Sequence, residues 1–131
     1  MEITEDYVSF ETANLLKEKG FDEPCHAYYE DDGTFRESYS PYAIRNITNP
    51  CFFGNAAPTF QMVMKWLREV HNLSVEVYRT ACGYIGCIVA IPSGTDIKLL
   101  EEDGDDLPSG QYTKWEYACE AAIKYCLKNL I

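Results

Sequence analysis

The chain has 131 residues, of which 47% are apolar and 24% are charged, and its formal net charge at pH 7 is −10. This length and composition are typical of one globular domain that buries its own core, and they exclude a disordered chain. The charge is uneven, because residues 1–37 sum to −8, residues 38–95 to +2 and residues 96–131 to −4. Both ends repel phosphate, which argues against nucleic-acid binding.

The N-terminal sequence has no basic segment followed by an apolar one, as a secretory signal requires, and no run of about 18 apolar residues follows. We therefore expect a cytoplasmic protein without membrane contact. In that reducing compartment the six cysteines are expected to be free thiols rather than a disulfide framework.

The first predicted helix has Ser9 as its N-cap and ends at Lys19, with Gly20 at the position that favours a left-handed backbone. Phe21 is placed to contact the last turn, as in a Schellman motif. Two short strands are predicted next, at residues 25–29 and 35–39. They are separated by a turn that contains Asp-Gly, so we expect a hairpin.

Residues 40–57 show no clean period and are interrupted by proline and glycine, which predicts a long, uncharged, aromatic loop or an unrecognised strand within it. A second helix is predicted from Thr59 as N-cap to about His71. The residues with helical spacing on its apolar face are Phe60, Val63, Met64, Leu67 and Val70.

Alternation over residues 73–78 predicts a strand that buries Leu73, Val75 and Val77. Residues 84–91 are apolar on both faces, which predicts a central strand covered on both sides, and residues 96–100 are a candidate edge strand. In the last helix, Thr113 and Glu116 form a predicted capping box. The predicted core face of that helix comprises Trp115, Cys119, Ala122, Ile123, Cys126 and Leu130.

The resulting order is α-β-β-α-β-β-(β)-α, with hairpins instead of regular βα alternation. It predicts an α+β fold with three helices and an antiparallel or mixed sheet of about four or five strands, formed by a single domain over residues 1–131.

Candidate chemistry is sparse. Cys25 and His26 are adjacent, but neighbouring residues of a strand point to opposite faces, so they do not form a catalytic dyad. The sequence has no closely paired cysteines with the spacing of zinc ligands. A zinc site made of Cys25, His26, Cys82 and Cys87 would require the tertiary fold to bring these residues together. The acidic residues 101–106 do not match the EF-hand template, which favours a solvated loop. We therefore expect no catalytic residues, no metal and no cofactor.

Gly83 and Gly86 have the spacing of a nucleic-acid-clamping glycine loop but lack basic neighbours, so a bulge or a close backbone approach is the favoured interpretation.

The ten tyrosines are numerous for this length, and several lie near the aromatic loop. Such side chains combine apolar area with a hydroxyl group and suit a binding surface, although they also commonly cover the rim of a core. The predicted binding residues are Tyr39, Tyr42, Phe52 and Phe53.

Three segments carry a resemblance to a known group of proteins: residues 112–131, residues 58–71 and residues 9–21. Together they cover 47 of the 131 residues, and they resemble small uncharacterised proteins of intestinal Bacteroides-group bacteria and of their phages or prophages. That group has no activity to carry over, so the resemblance implies only a lineage and a mobile-element context.

The leading functional hypothesis is a non-enzymatic binding or interaction protein, such as a phage or prophage accessory protein that acts on a host factor. Its partner is an unidentified protein or a second copy of the chain. One alternative is a small-ligand binder or enzyme with its site between residues 39–53 and the sheet. Another is an acidic mimic of nucleic acid, which depends on charge alone.

Overall fold

The computed structural model of the chain describes residues 3–37, 47–49, 54–100 and 111–131. In this described part the fold is α+β, as predicted, with three α-helices. Its strands form two three-stranded antiparallel sheets rather than the predicted single sheet of four or five strands. The chain divides into two compact units, residues 1–60 and 61–131, and the single domain stays a prediction. No helix in the described ranges is long and apolar enough to cross a membrane.

Helix α1, Phe10–Glu18, begins and ends as its sequence predicts. The Ser9 hydroxyl accepts a hydrogen bond from a backbone N–H of the first turn. At the other end Gly20 has a φ of +86°, and the Phe21 N–H donates to the Leu16 carbonyl at 2.9 Å. This bond satisfies a helix-end carbonyl and completes the Schellman motif. Phe21 is fully buried as a result.

The first sheet, in the unit of residues 1–60, has the strand order β2-β1-β3. Strands β1, Ala27–Tyr29, and β2, Phe35–Glu37, form the predicted hairpin. In the turn, Gly33 has a φ of +89°, and its N–H donates to the Glu30 carbonyl.

Strand β3, Asn55–Ala56, was not among the predicted strands and pairs with β1. A two-residue strand has no period to recognise in the sequence. Its backbone is fixed by distant partners, since the Asn49 side chain accepts from the Ala56 N–H at 3.1 Å. Of the two alternatives for the 40–57 segment, the structure therefore shows a strand at its C-terminal end.

Helix α2, Phe60–His71, follows Thr59 as predicted. Val63, Met64 and Leu67 are buried, but Val70 is 56% exposed and the prediction that it belongs to the core face is wrong. At about 100° per residue Val70 lies between Val63 and Trp66, which are both buried, so the helical period alone does not account for its exposure in the last turn of the helix.

The second sheet, in the unit of residues 61–131, has the order β4-β5-β6. Its strands are β4, Leu73–Arg79, β5, Tyr84–Ala90, and β6, Asp96–Leu100. Strand β5 is central and β6 is an edge strand, as predicted.

Helix α3, Trp115–Tyr125, continues as a π-helical segment, Cys126–Leu130. The predicted capping box is wrong, because the N-cap is Lys114 and makes no side-chain cap hydrogen bond. Tyr112 exchanges two backbone hydrogen bonds with Tyr84 of β5. This bridge holds Tyr112 extended and delays the start of the helix by one residue.

Four residues of the predicted core face of this last helical region are buried, namely Cys119, Ala122, Ile123 and Cys126. The prediction is wrong for Trp115 and Leu130, which are half-buried and lie at the two ends of the region. The fully buried residues are Ala118, Cys119, Ala122, Ile123, Cys126 and Leu127.

Candidate functional site

The predicted binding residues Tyr39, Tyr42, Phe52 and Phe53 lie outside the described residues. Their role as a binding surface stays a prediction. The acidic residues 101–106 also lie outside the described part of the chain.

Other aromatic residues of the N-terminal unit form a structural cluster. The centroid of the Tyr29 ring lies 5.3 Å from that of Phe35 and 5.6 Å from that of Phe10, and the ring centroids of Tyr7 and Phe35 are 5.1 Å apart. The Tyr29 hydroxyl donates to the Val8 carbonyl at 2.6 Å. Since its polar group is used within the fold, Tyr29 joins the strand to the start of α1 and offers little to a ligand.

A cleft of about 240 Å³ lies at the C-terminal end of α1, and its lining includes Lys17, Asp22 and Asn49. This volume is below the usual range of ligand pockets, about 300–1,000 Å³. The Asn49 amide donates to the Phe21 carbonyl at 3.0 Å and its oxygen accepts from Ala56. Asn49 is therefore occupied in holding the loop to the helix end.

Cys25 and His26 point to different environments, as their adjacency predicts. Cys25 is 1% exposed, whereas His26 is exposed. Burial, followed by the nearby Glu23 charge, raises the pKa of the Cys25 thiol to about 12. The thiol is protonated at neutral pH, which does not suit a nucleophile. Burial also raises the pKa of Cys126 to about 12, in keeping with its place in the core.

Metal-binding chemistry has no support in the described ranges, where no group of three or more His, Cys, Asp or Glu side chains is placed to hold an ion.

The two glycines of the 83–86 segment have a structural explanation. A Cβ at Gly86 would lie 3.3 Å from the Ala118 carbonyl oxygen, so β5 and α3 approach closely at this point. The predicted close backbone approach is confirmed there.

The main candidate surface is the side of the second sheet that faces away from α3. The neighbours of Gly86 place α3 on one side of the sheet, and residues paired across antiparallel strands share a side. The register therefore assigns eight residues to the opposite side, here called the open face. They are Ser74, Glu76, Tyr78, Ile85, Cys87, Val89, Asp96 and Leu99.

Most residues of the open face are apolar, and several of them reach solvent. Tyr78 is 48% exposed and Leu99 is 52% exposed, while Cys87 and Val89 are half-buried. The prediction that β5 is covered on both sides holds fully for the α3 side and in part for the open face, where the exposed residues Tyr78 and Leu99 belong to the outer strands. Ile85 is the buried residue of the open face.

Two carboxylates lie among these apolar side chains. Glu76 and Leu99 flank Cys87 in one row of the register, and the Cys87 thiol donates to Asp96 at 3.8 Å. Partial burial, then the Asp96 charge and hydrogen bond, and then Glu76 raise the pKa of Cys87. The thiol therefore stays neutral at pH 7, and the carboxylates supply the charge of the face.

Sequence reasoning found only part of this surface. The alternation that predicts a buried side for β4 is confirmed for Leu73 and Val75, whereas Val77 is half-buried and not fully buried as predicted. The same alternation puts Glu76 and Tyr78 together on the opposite side. Leu99 was missed because the side that an edge-strand residue takes depends on register, which β6 changes through a bulge near Val89.

Comparisons of the chain with protein-family models, with curated protein sequences and with solved structures gave no match. The site is therefore interpreted from its own residues.

Proposed function

We propose that the chain is a non-catalytic interaction protein that binds a protein partner on its open face. The observation that carries this proposal is the solvent exposure of Tyr78 and Leu99 on a sheet side whose residues are mostly apolar. Covering such a surface removes apolar area from water, and tyrosine is enriched at binding hot spots.

The chemistry of the open face supports binding rather than catalysis. Its eight residues include no histidine, lysine or arginine, and its one thiol has a raised pKa. Apart from its two carboxylates, the open face therefore has no basic side chain that could activate a nucleophile. An accessory protein that acts on a host factor, which is the leading hypothesis from the sequence, would use a surface of this kind.

The test uses a displayed library of random peptides of about 16 residues, long enough to span the sheet as a helix. Peptides are selected on the wild-type protein and then measured on two variants. Leu99→Lys places a charge on the open face, and Val70→Lys is the matched control, since Val70 is 56% exposed on α2. We expect a class of peptides that binds wild type and Val70→Lys but not Leu99→Lys.

Both variants must retain the wild-type circular dichroism spectrum for the comparison to count. The proposal is wrong if no selected peptide distinguishes Leu99→Lys from the control. Sedimentation equilibrium of the same proteins reports whether self-association, the other predicted use of the chain, depends on Leu99.

A further inference from the structure

We propose that the occupant of the open face is a basic amphipathic helix of a partner protein. This inference rests on the proposed function and specifies the chemistry of the partner.

The dimensions of the sheet favour a single helix. Three strands place the outer two about 10 Å apart, which matches the diameter of one α-helix, about 10 Å. Strands β4 and β5 each have seven residues, a length of roughly 23 Å. The molecule itself shows the fit, because α3, with 11 residues, covers the other side of the same sheet.

The charge of the open face selects a basic partner. Its charged residues are Glu76 and Asp96, both exposed, and it has no cationic residue. A partner that desolvates two carboxylates without compensating them loses affinity, whereas lysine or arginine beside its apolar stripe forms ion pairs with them. The net charge of −10 adds a long-range attraction for a basic segment.

The same charges argue against a second copy of the chain. A face-to-face pair would bring Glu76 and Asp96 of one copy against the acidic face of the other, in a molecule that already carries −10. Juxtaposed like charges are strongly unfavourable at an interface. A basic helix forms favourable ion pairs with these carboxylates, whereas the acidic face of a second copy is repelled by them.

The experiment examines the peptides selected on wild type that fail on Leu99→Lys. We expect their sequences to be enriched in lysine and arginine, with apolar residues three and four positions apart, and to become helical on binding, as circular dichroism measures. Their affinity is then compared between two charge variants that each raise the net charge by two.

The first variant, Glu76→Gln with Asp96→Asn, removes both carboxylates from the open face and keeps the acceptor oxygens that Ser74 and Cys87 use. The matched control, Asp22→Asn with Glu23→Gln, removes two exposed acids from the other unit. We expect the first to weaken binding about fivefold to tenfold, the control less than twofold, and added salt to reduce the difference.

The possible results separate the two proposals. The basic-helix proposal is wrong if the peptides that fail on Leu99→Lys are not basic or do not become helical. It is also wrong if they lose equal affinity in both charge variants. In these cases the proposed interaction function still stands. A selection that yields no face-dependent peptide overturns both.

Discussion

The substitution Gly86→Val tests the assignment of the two sides of β5, on which the open face depends. A Cβ at Gly86 would lie 3.3 Å from the Ala118 oxygen and 3.6 Å from both the Ala122 and Leu100 Cβ atoms. Valine adds two further carbons about 1.5 Å beyond that Cβ, where α3 leaves no space. Overpacking of this kind costs about 3 kcal/mol, and removing a glycine from a strand returns about 1 kcal/mol.

The net loss of about 2 kcal/mol corresponds to a fall in melting temperature of about 8 °C for a chain of this length. The matched control is Cys87→Val, one residue along the strand but on the open face, where the thiol is half-buried. We expect it to change stability by less than about 0.5 kcal/mol. Thermal melts followed by circular dichroism measure both. If Cys87→Val loses as much stability as Gly86→Val, the assignment of the two sides of β5 is wrong, and so is the proposal that the open face binds a partner.

Three further predictions concern the core, a helix end and the thiols. Ala122→Asp puts a charge at a fully buried position of α3 and should cost more than about 4 kcal/mol, whereas the same change at half-buried Ala121 should cost about 1 kcal/mol, as measured by urea denaturation. Gly20→Ala should cost about 1 kcal/mol in the same assay, because its φ is +86° and the surrounding space is open, so that only backbone strain opposes the methyl group. The pKa values of Cys25 and Cys126 are about 12 in the folded state, whereas an unfolded cysteine loses its proton near pH 9. The folded state therefore binds more protons between about pH 9 and pH 12, and the free energy of unfolding should decline over that range. Cys126→Ala should flatten that decline, and an unchanged slope would show that its thiol does not titrate as described.

Elements whose signals are local could be predicted from the sequence. The cap at Ser9 and the glycine at 20 involve hydrogen bonds within a few residues of chain, so the sequence at each helix end contains both partners. The hairpin turn at Gly33 is local in the same sense. The buried face in the middle of α3 follows from its period, whereas the burial of its first residue, Trp115, does not.

Elements that depend on distant partners could not be predicted. Strand β3 exists because β1 is beside it, and the start of α3 is set by the bridge from Tyr112 to Tyr84. The open face has the same origin. Both sides of β5 have an apolar sequence, and only the packing of α3 against Gly86 shows which side is covered.

An exposed apolar sheet face is ordinarily an aggregation hazard, and the carboxylates of this one bear on how the chain avoids it. Glu76 and Asp96 lie on the two outer strands beside the apolar side chains, so an apolar surface that covers the whole face must also desolvate them. The open face of another copy of the chain offers only more acid there. A basic helix compensates both carboxylates and buries Tyr78 and Leu99 in the same step. The two carboxylates that oppose face-to-face pairing of two copies are therefore the same groups that would form ion pairs with the proposed basic helix.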